Sequence, residues 1–301
     1  MSDPIFEVIE PTLTMPTKLT GAKRGTRDYQ FDNGEIINIP LAEEQMFLAE
    51  HAKNISNEME DILKAQRELY RWSEQLNKIK ALDLEQNSWE WLLARLGNIS
   101  GSANPFGKDG KIKLDSTKKK LPYQKAAEAI YRDNADEEFV YMHKEFNSFG
   151  GNFATKRGHD LEPVIRKQFL ENHPEFNNIE VGLAKLNLVP FLHYSPDDLL
   201  QEGLECNTLL EIKSMDFWKF LLVQDDHQVL VDEYYSQIQL GMFLFDLDKC
   251  YLVAGYERCE NIEILVERDE MFIFNMVREL NWLLPRIEEI YQAKKDIFRK
   301  L

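Results

Sequence analysis

Apolar residues recur every seven positions in the stretch between residues 41 and 80. The recurring positions are Leu41, Leu48, Ile55, Ile62, Leu69 and Leu76. A repeat of seven is typical of a helix with one apolar stripe, so the spacing predicts a long helix over 41–80. The second stripe is half polar, because Gln45, Gln66 and Ser73 occupy three of its five positions. The pattern leaves two alternatives open, a helix laid along its own domain and a helix that binds another chain.

Shorter apolar patterns predict the other elements. Helices are predicted over 123–132, 159–172, 232–245 and 269–295, with a further short helix after Ser88. Strands are predicted over 179–186, 188–194, 207–213, 251–256 and 262–267. Residues 1–40 hold four prolines and are predicted to be extended or partly ordered. This order predicts an α/β core at 85–301, with a mixed central sheet flanked by helices, after a helical N-terminal extension at 1–84.

The composition is that of a soluble globular protein, with 44% hydrophobic and 29% charged residues. No apolar run reaches the ~18 residues of a membrane helix, so we expect no membrane association. The N-terminus is acidic and shows no secretory signal. Three scattered cysteines are too few for a disulfide framework or a four-cysteine metal site. We interpret them as reduced thiols in a cytoplasmic protein.

The net charge of −16 argues against a general coat of nucleic-acid contacts. One segment is basic in this acidic chain: residues 108–125 contain seven lysines and two aspartates and form a basic island. A solvated loop is the simplest interpretation of such an island. Contact with a DNA backbone through Lys118, Lys119 and Lys120 becomes the better one if the chain also carries a site for phosphodiester chemistry.

Candidate chemistry lies between Tyr194 and Lys213. Asp197 follows the apolar run at 188–192, and Glu211 and Lys213 end a second run that begins at Leu209. On a strand, Glu211 and Lys213 share one face. If the two runs pair as neighbouring strands, Asp197, Glu211 and Lys213 meet at one end of a sheet. Two carboxylates hold a hard divalent cation, and a lysine beside it orients or deprotonates a water, as in metal-assisted phosphodiester hydrolysis.

Several further motifs stand in order around this stretch. They are E-Q-x-S-x-E-W-L-x-x-R-x-G-x-I-x-G-S over 85–102, a basic loop, R-G-x-x-x-E-P over 157–163, S-P-D over 195–197, L-E-I-K over 210–213 and Y-Y-x-Q-x-Q over 234–239. With these motifs the chain resembles the lambda-exonuclease-like, YqaJ-type branch of the PD-(D/E)xK nuclease superfamily over residues 85–295. The resemblance implies a PD-(D/E)xK, restriction-endonuclease-like core.

The resemblance also implies roles for individual residues. Asp197, Glu211 and the carbonyl of Ile212 match the metal ligands, and Glu162 matches a carboxylate that acts through water or a second ion. Lys213 matches the residue that positions and activates the water. Gln237 matches a group that orients the water or the lysine. The pocket for a 5′-phosphate corresponds to Arg95, Ser102 and Ser195. One departure is Asp198, which stands where the family usually has glycine.

The function implied is an Mg²⁺-dependent 5′→3′ exonuclease, with Mn²⁺ as a substitute. It digests one strand of linear double-stranded DNA and leaves 3′ overhangs for homologous recombination. A homo-oligomer, a ring trimer by resemblance, and a single-strand annealing partner are implied likewise. Two alternatives stay open: a DNA-end-binding or inhibitor protein with a degenerate site, and a RecB-like nuclease of other polarity. Three dispersed cysteines disfavour an iron–sulfur cluster in the latter, since such clusters usually need four ligands.

Overall fold

A computed structural model describes residues 5–20, 22–23, 25–72, 79–82, 84, 88–102, 104–112, 114–134, 153–186 and 189–297. Two compact units make up the chain. The small unit is Glu7–Tyr70, and the large unit is Met1–Phe6 together with Arg71–Leu301.

The described residues form eleven strands and seven helices, which we number in chain order. The strands are β1 (Thr17–Lys18), β2 (Thr26–Gln30), β3 (Ile36–Pro40), β4 (Ile79–Leu82), β5 (Phe176–Ile179), β6 (Leu183–Leu186), β7 (His193–Tyr194), β8 (Asp198–Glu202), β9 (Glu205–Ser214), β10 (Lys249–Gly255) and β11 (Ile262–Glu267). The helices are α1 (Glu44–Trp72), α2 (Trp89–Arg95), α3 (Asp115–Asn134), α4 (Phe153–Asn172), α5 (Phe217–Asp225), α6 (His227–Phe245) and α7 (Glu270–Lys294). None of the described helices combines the length and apolar content that a membrane crossing requires.

The small unit is an antiparallel sheet with the order β1-β2-β3 and the helix α1. Extended chain, which was predicted before residue 41, occurs there as the strands β1, β2 and β3, whose pairing into a sheet was not predicted. The predicted helix over 41–80 is wrong at both ends. Residues 41–43 form a turn, and Ile79–Leu82 pairs with β6 as a strand. Strand pairing with a distant segment thus overrides the local sevenfold pattern. Leu76, the last position of that pattern, lies outside the described residues.

Contacts inside the small unit involve α1 at two places. The Phe47 ring, next to the stripe residue Leu48, lies 5.5 Å from the Tyr29 ring between centroids. In the half-polar stripe, Gln66 is buried, accepts a hydrogen bond from the Ile9 N–H at 2.7 Å and donates one to the Glu7 carbonyl at 2.7 Å. A glutamine at this position therefore satisfies the backbone of an extended segment. These contacts fit a helix laid along its own domain, and binding of another chain stays a prediction.

A mixed five-stranded sheet with the order β11-β10-β9-β8-β5 forms the centre of the large unit. β9 and β10 pair in parallel, and the other neighbours pair antiparallel. A second, antiparallel sheet has the order β4-β6-β7. The predicted α/β core with a mixed central sheet flanked by helices is thus confirmed.

Two helices lie against β9 from different sides. Ile165 and Phe169 of α4 pack with Leu210, Ile212 and Val253 in one buried apolar cluster. Glu211, between the first two strand residues, contacts α6 instead. Because successive side chains of a strand point to opposite faces, Leu210 and Ile212 bury against α4, whereas Leu209, Glu211 and Lys213 face α6.

The predicted strands differ from the observed ones around the S-P-D motif. Residues 179–186 divide between β5 and β6, and among the described residues of 188–194 only the last two form a strand of the sheets. The strand β8, directly after Asp197, was not predicted, nor was α5. In β8, Asp198, Leu199 and Leu200 are all buried, so the period-two alternation that marks a strand facing solvent on one side is missing.

A histidine at the end of α4 makes the stability of the fold depend on pH. His173 lies 3.0 Å from Glu175 and 2.7 Å from Glu263 between ring nitrogen and carboxylate oxygen. Burial alone lowers the pKa of His173, but the hydrogen bonds with Glu263 and Glu175 outweigh it and raise this pKa above its ordinary value. The charged ring therefore stabilises the fold fully below the unfolded-state pKa of ~6.5, and the contribution disappears as pH rises through the folded-state pKa.

Replacing His173 by glutamine should lower the free energy of unfolding by about 1 kcal/mol at pH 6 and by much less at pH 9. Urea unfolding at the two pH values measures the difference. His227→Gln is the control, because His227 is exposed at the start of α6. An equal loss at both pH values for His173→Gln contradicts a charged His173 in the folded protein.

Candidate active site

The centre of the site is the carboxylate of Glu211 on β9, which is 2% exposed. One oxygen, Oε1, accepts hydrogen bonds from the Lys213 ammonium and from the Gln237 amide of α6. The other, Oε2, accepts one from the Tyr194 hydroxyl of β7 at 3.0 Å. Four residues from three elements therefore converge, and Glu211 and Lys213 share a face of their strand.

Asp197 joins this group through the pairing of β8 with β9. Asp198 lies opposite Leu210 in that antiparallel pair, so Asp197 stands beside the next residues of β9. Its Oδ2 accepts a hydrogen bond from the Ile212 N–H at 2.6 Å. The expected partner of β9 was the apolar run over 188–192, and that prediction is wrong. The strand that begins after S-P-D provides the pairing, and it still brings Asp197 to the site.

The backbone carbonyl of Ile212 lies on the same side of β9 as Asp197. The N–H and C=O of a strand residue point to the same neighbour, and the N–H of Ile212 points to Asp197. The β8–β9 pairing ends at Asp198 and Leu210, so this carbonyl lies beyond the last pair of that ladder.

The helix α4 brings a second charged cluster to the site. Nη2 of Arg166 donates hydrogen bonds to Glu162 Oε1 at 2.8 Å and to the Asp197 carbonyl at 3.3 Å. Its Nε lies 2.5 Å from Asp198 Oδ2. The Asn178 amide donates to the other Asp198 oxygen at 3.3 Å. Glu162 is thus near Asp197, but its carboxylate is paired with Arg166.

Burial governs the protonation of these groups. It raises the pKa of Glu211 to about 7, with the Lys213 ammonium opposing the rise and Asp197 adding to it. For Lys213, burial favours the neutral form, but Glu211 and Asp197 outweigh it and raise the pKa above its ordinary value. Burial also raises the pKa of Asp198 to about 6 despite Arg166. Lys213 is therefore a charged hydrogen-bond donor here, which favours orienting a water over deprotonating it.

The sequence interpretation missed Tyr194. Its ring is 1% exposed and fits between two glycines. A Cβ on Gly101 would lie 2.6 Å from this ring, and one on Gly241 of α6 would lie 2.7 Å from it. The two glycines let the backbone come close enough for the Tyr194 hydroxyl to reach Glu211. No local signal marks a tyrosine before S-P-D as a carboxylate donor, because its partner is set by the sheet.

The three residues assigned to a 5′-phosphate pocket come together. Arg95 at the end of α2 donates to the Ser102 hydroxyl at 2.7 Å. Its guanidinium lies 4.1 Å from the centroid of the Trp91 ring. The indole N–H of Trp91 lies within hydrogen-bond distance of the Gly182 carbonyl, at 3.0 Å, and of the Ser195 hydroxyl, at 3.3 Å. Trp91 therefore orients Arg95 and links it to Ser195, a role that the sequence interpretation missed.

Positive charge surrounds this pocket. His193 is 1% exposed, and neither of its ring nitrogens has a hydrogen-bond partner among the described residues. Burial, together with the positive charges of Arg95, Lys125, Lys185 and Arg132, lowers the pKa of His193 to about 3. The ring is therefore neutral in a positive field, and a positive field is what a phosphate group requires.

The basic island is different from the predicted loop. Lys118, Lys119 and Lys120 lie in the first turns of α3, and the Lys118 ammonium pairs with Glu279 at 2.8 Å. Lys119 and Lys120 are exposed. The loop interpretation is wrong because the segment from Asp115 onward is helical despite its lysine run. Two exposed lysines remain as the strongest candidates for backbone contact with DNA.

The oxygen donors at the sheet end fit a hard divalent ion. Asp197, Glu211 and the Ile212 carbonyl provide two carboxylates and one backbone oxygen, the donor set that Mg²⁺ and Mn²⁺ prefer. In the part of the chain that the structure describes, no three His, Cys, Asp or Glu side chains form a group that could hold a metal by themselves. The third carboxylate, Glu162, is the one bound to Arg166.

A mixed sheet that joins S-P-D to an E-x-K strand defines the PD-(D/E)xK nuclease class. A profile of the YqaJ-like viral recombinase domain matches residues 90–248, just over half of the chain. The chain therefore belongs to the YqaJ-like viral recombinase family, and the predicted family is confirmed.

Solved structures support the fold. The alkaline exonuclease LHK-Exo from Laribacter hongkongensis is 23% identical with a TM-score of 0.54, over 70% of this chain and 98% of that one. LHK-Exo in complex with dAMP is 25% identical with a TM-score of 0.52, over the same shares. No curated protein matches the chain.

Tyr194→Phe tests the buried donor to Glu211. The change leaves Oε2 of a buried carboxylate without its donor, so it should cost about 1–3 kcal/mol of stability. It should also raise the pKa of Glu211, because the hydrogen bond favours the charged form. Urea unfolding measures the first effect, and the pH dependence of DNA cleavage measures the second.

Tyr235→Phe on the same helix as Gln237 is the matched control. Its hydroxyl donates to Asp269 at 2.7 Å, away from Glu211. The control should lose some stability and keep the wild-type pH dependence. A Tyr194→Phe variant with wild-type stability and pH dependence refutes the assigned role of Tyr194.

Proposed function

We propose that this protein is an Mg²⁺-dependent 5′→3′ exonuclease, with Mn²⁺ as a substitute, that digests one strand of linear double-stranded DNA. The observation that carries the proposal is the convergence of Asp197, Glu211 and Lys213 at one end of β9. Membership of the YqaJ-like viral recombinase family and the similarity to LHK-Exo support it. The expected product is a duplex with a 3′ single-stranded overhang, which recombination uses.

In the proposed mechanism, Asp197, Glu211 and the Ile212 carbonyl would hold the divalent ion. When bound, such an ion polarises the scissile phosphate and lowers the pKa of a water. Lys213 is charged, so its ammonium donates a hydrogen bond that orients the attacking water and stabilises the extra negative charge on the phosphoryl group. The Gln237 amide assists from α6, where it already donates to Glu211.

The proposed polarity rests on the pocket around Arg95 and on the family. A cut in the 5′→3′ direction leaves a new 5′-phosphate, which Arg95, Ser102 and Ser195 hold for the next step. The complex of LHK-Exo with dAMP fits a nuclease whose product is a 5′-mononucleotide. A ring-shaped homo-oligomer and a single-strand annealing partner are proposed from the family resemblance alone.

The rival function is a DNA-end-binding or inhibitor protein with a degenerate site. Burying the Glu211 carboxylate beside the Lys213 ammonium costs free energy. A protein that only binds DNA ends does not need this pair, so its presence disfavours a degenerate site. The other rival is a nuclease with an iron–sulfur cluster. The three cysteines Cys206, Cys250 and Cys259 range from exposed to buried and are one short of the usual four cluster ligands.

Lys213→Gln should slow digestion of linear duplex DNA by roughly 10²–10⁴-fold, and it should also lower the melting temperature because Glu211 loses its charged partner. The amide keeps a hydrogen bond to Glu211 but carries no charge for the transition state. Gel assays with Mg²⁺, with Mn²⁺ and with EDTA measure cleavage. Lys249→Gln on the neighbouring strand β10 is the control and should cleave normally.

Full cleavage by wild type in excess EDTA refutes the metal mechanism. Wild-type turnover by Lys213→Gln refutes the role of the lysine. Binding of duplex ends by wild type without cleavage under any of these conditions favours the DNA-end-binding protein.

Arg95→Ala should slow digestion of a 5′-phosphorylated duplex far more than that of a 5′-hydroxyl duplex. Loss of one charged contact costs ~1.5–3 kcal/mol, or roughly a tenfold to hundredfold lower rate on the phosphorylated end. Arg278→Ala is the matched control, because its guanidinium also lies over a ring, 5.6 Å from the Phe274 centroid. Equal slowing of both duplexes by Arg95→Ala assigns this arginine to the fold or to general backbone contact.

A further inference from the structure

Arg166 is the cation that joins the two acidic residues after Pro196 to the helix α4. Its guanidinium contacts the Glu162 carboxylate at 2.8 Å, the Asp197 carbonyl at 3.3 Å and the Asp198 carboxylate at 2.5 Å. It therefore lies between α4 and the start of β8, next to a proposed metal ligand. The mechanism described above does not use it.

Asp198 keeps this guanidinium in place. The Asp198 side chain is 0% exposed and forms its ion pair with Arg166. Asn178 of β5 contacts its other oxygen at 3.3 Å. Removing the partner of a buried ion leaves an uncompensated charge in the protein interior, which is strongly destabilising. Arg166 consequently has little freedom to leave Asp198, and Glu162 stays paired with it.

The charges around the site point the same way. Four carboxylates, Glu162, Asp197, Asp198 and Glu211, face the two cations Arg166 and Lys213. Two negative charges remain when all six groups are ionised, and one divalent ion neutralises them. Beside Glu162 the positive charge is already present, because the Arg166 guanidinium lies 2.8 Å from that carboxylate and would repel a second divalent ion there.

We propose that Arg166, held by Asp198, takes the place of a second divalent ion beside Glu162, so that the site binds a single ion through Asp197, Glu211 and the Ile212 carbonyl. Arg166 is thus a positioning residue, and Glu162 is its partner instead of a metal ligand. The inference rests on the proposed function, since it concerns the ion of that site.

Counting bound Mn²⁺ by electron paramagnetic resonance tests the proposal without any cleavage readout. The full chain is titrated with Mn²⁺, alone and with a phosphorothioate duplex that resists hydrolysis. Wild type should bind one ion per chain in both titrations. Glu162→Gln should also bind one, with an affinity within about threefold of wild type, because a carboxylate that is not a ligand adds little.

The double variant Arg166→Gln/Asp198→Asn replaces the buried ion pair by a neutral, hydrogen-bonding one. It releases Glu162 from its ion pair, and it should bind a second Mn²⁺ per chain that disappears when Glu162→Gln is added. Lys167→Gln is the control. Lys167 follows Arg166 in α4, and its ion pair with Glu171 is exposed to solvent. It should bind one ion.

Two ions per wild-type chain, or loss of the bound ion in Glu162→Gln, overturns the proposal. Glu162→Gln carries the test if the double variant does not fold. The variant Asp197→Asn/Glu211→Gln distinguishes failure of the single-ion proposal from failure of the proposed function. It should abolish Mn²⁺ binding, and retention of the ion there, or no binding by wild type, refutes the metal site itself.

Discussion

The site depends on one buried carboxylate and the donors that make its burial tolerable. An ionised carboxylate taken out of water costs several kcal/mol unless it is paired and hydrogen-bonded. Glu211 meets that requirement through Lys213, Gln237 and Tyr194, which come from β9, α6 and β7. The close approach of these elements in turn requires glycine at 101 and 241. Packing at the centre of the large unit and the chemistry of the site therefore share one constraint.

The same constraint gives the site its electrostatic character. Burial raises the pKa of Glu211 while Glu211 raises that of Lys213, so the pair holds charge of both signs in a place with little water. Arg166 and Asp198 form a second buried pair of opposite charges, with Asp198 on β8, the strand next to β9. In the proposed function a divalent ion would balance the charge of the first cluster, whereas Arg166 already pairs with Asp198 in the second.

Local sequence was sufficient where the cause of a feature is local. The shared face of Glu211 and Lys213 on β9, the Ser88 cap of α2 and the apolar side of α7 follow from short-range rules, and the structure contains all three. Local rules failed where the cause is distant. The strand β8 shows no alternation of apolar and polar residues, because both of its faces are buried. The helix α1 ends before residue 80, because Ile79–Leu82 pairs with β6. Tyr194, Trp91 and Arg166 act through partners that only the fold brings within reach.

The central claim is that the end of β9 and the start of β8 hold the ion that cuts DNA. Anomalous diffraction from crystals of Lys213→Gln grown with Mn²⁺ and a 5′-phosphorylated duplex tests it most directly. We predict a manganese peak bonded to Asp197, Glu211 and the Ile212 carbonyl, within contact distance of a DNA phosphate. A peak bonded elsewhere, or a DNA phosphate far from these residues, contradicts the claim.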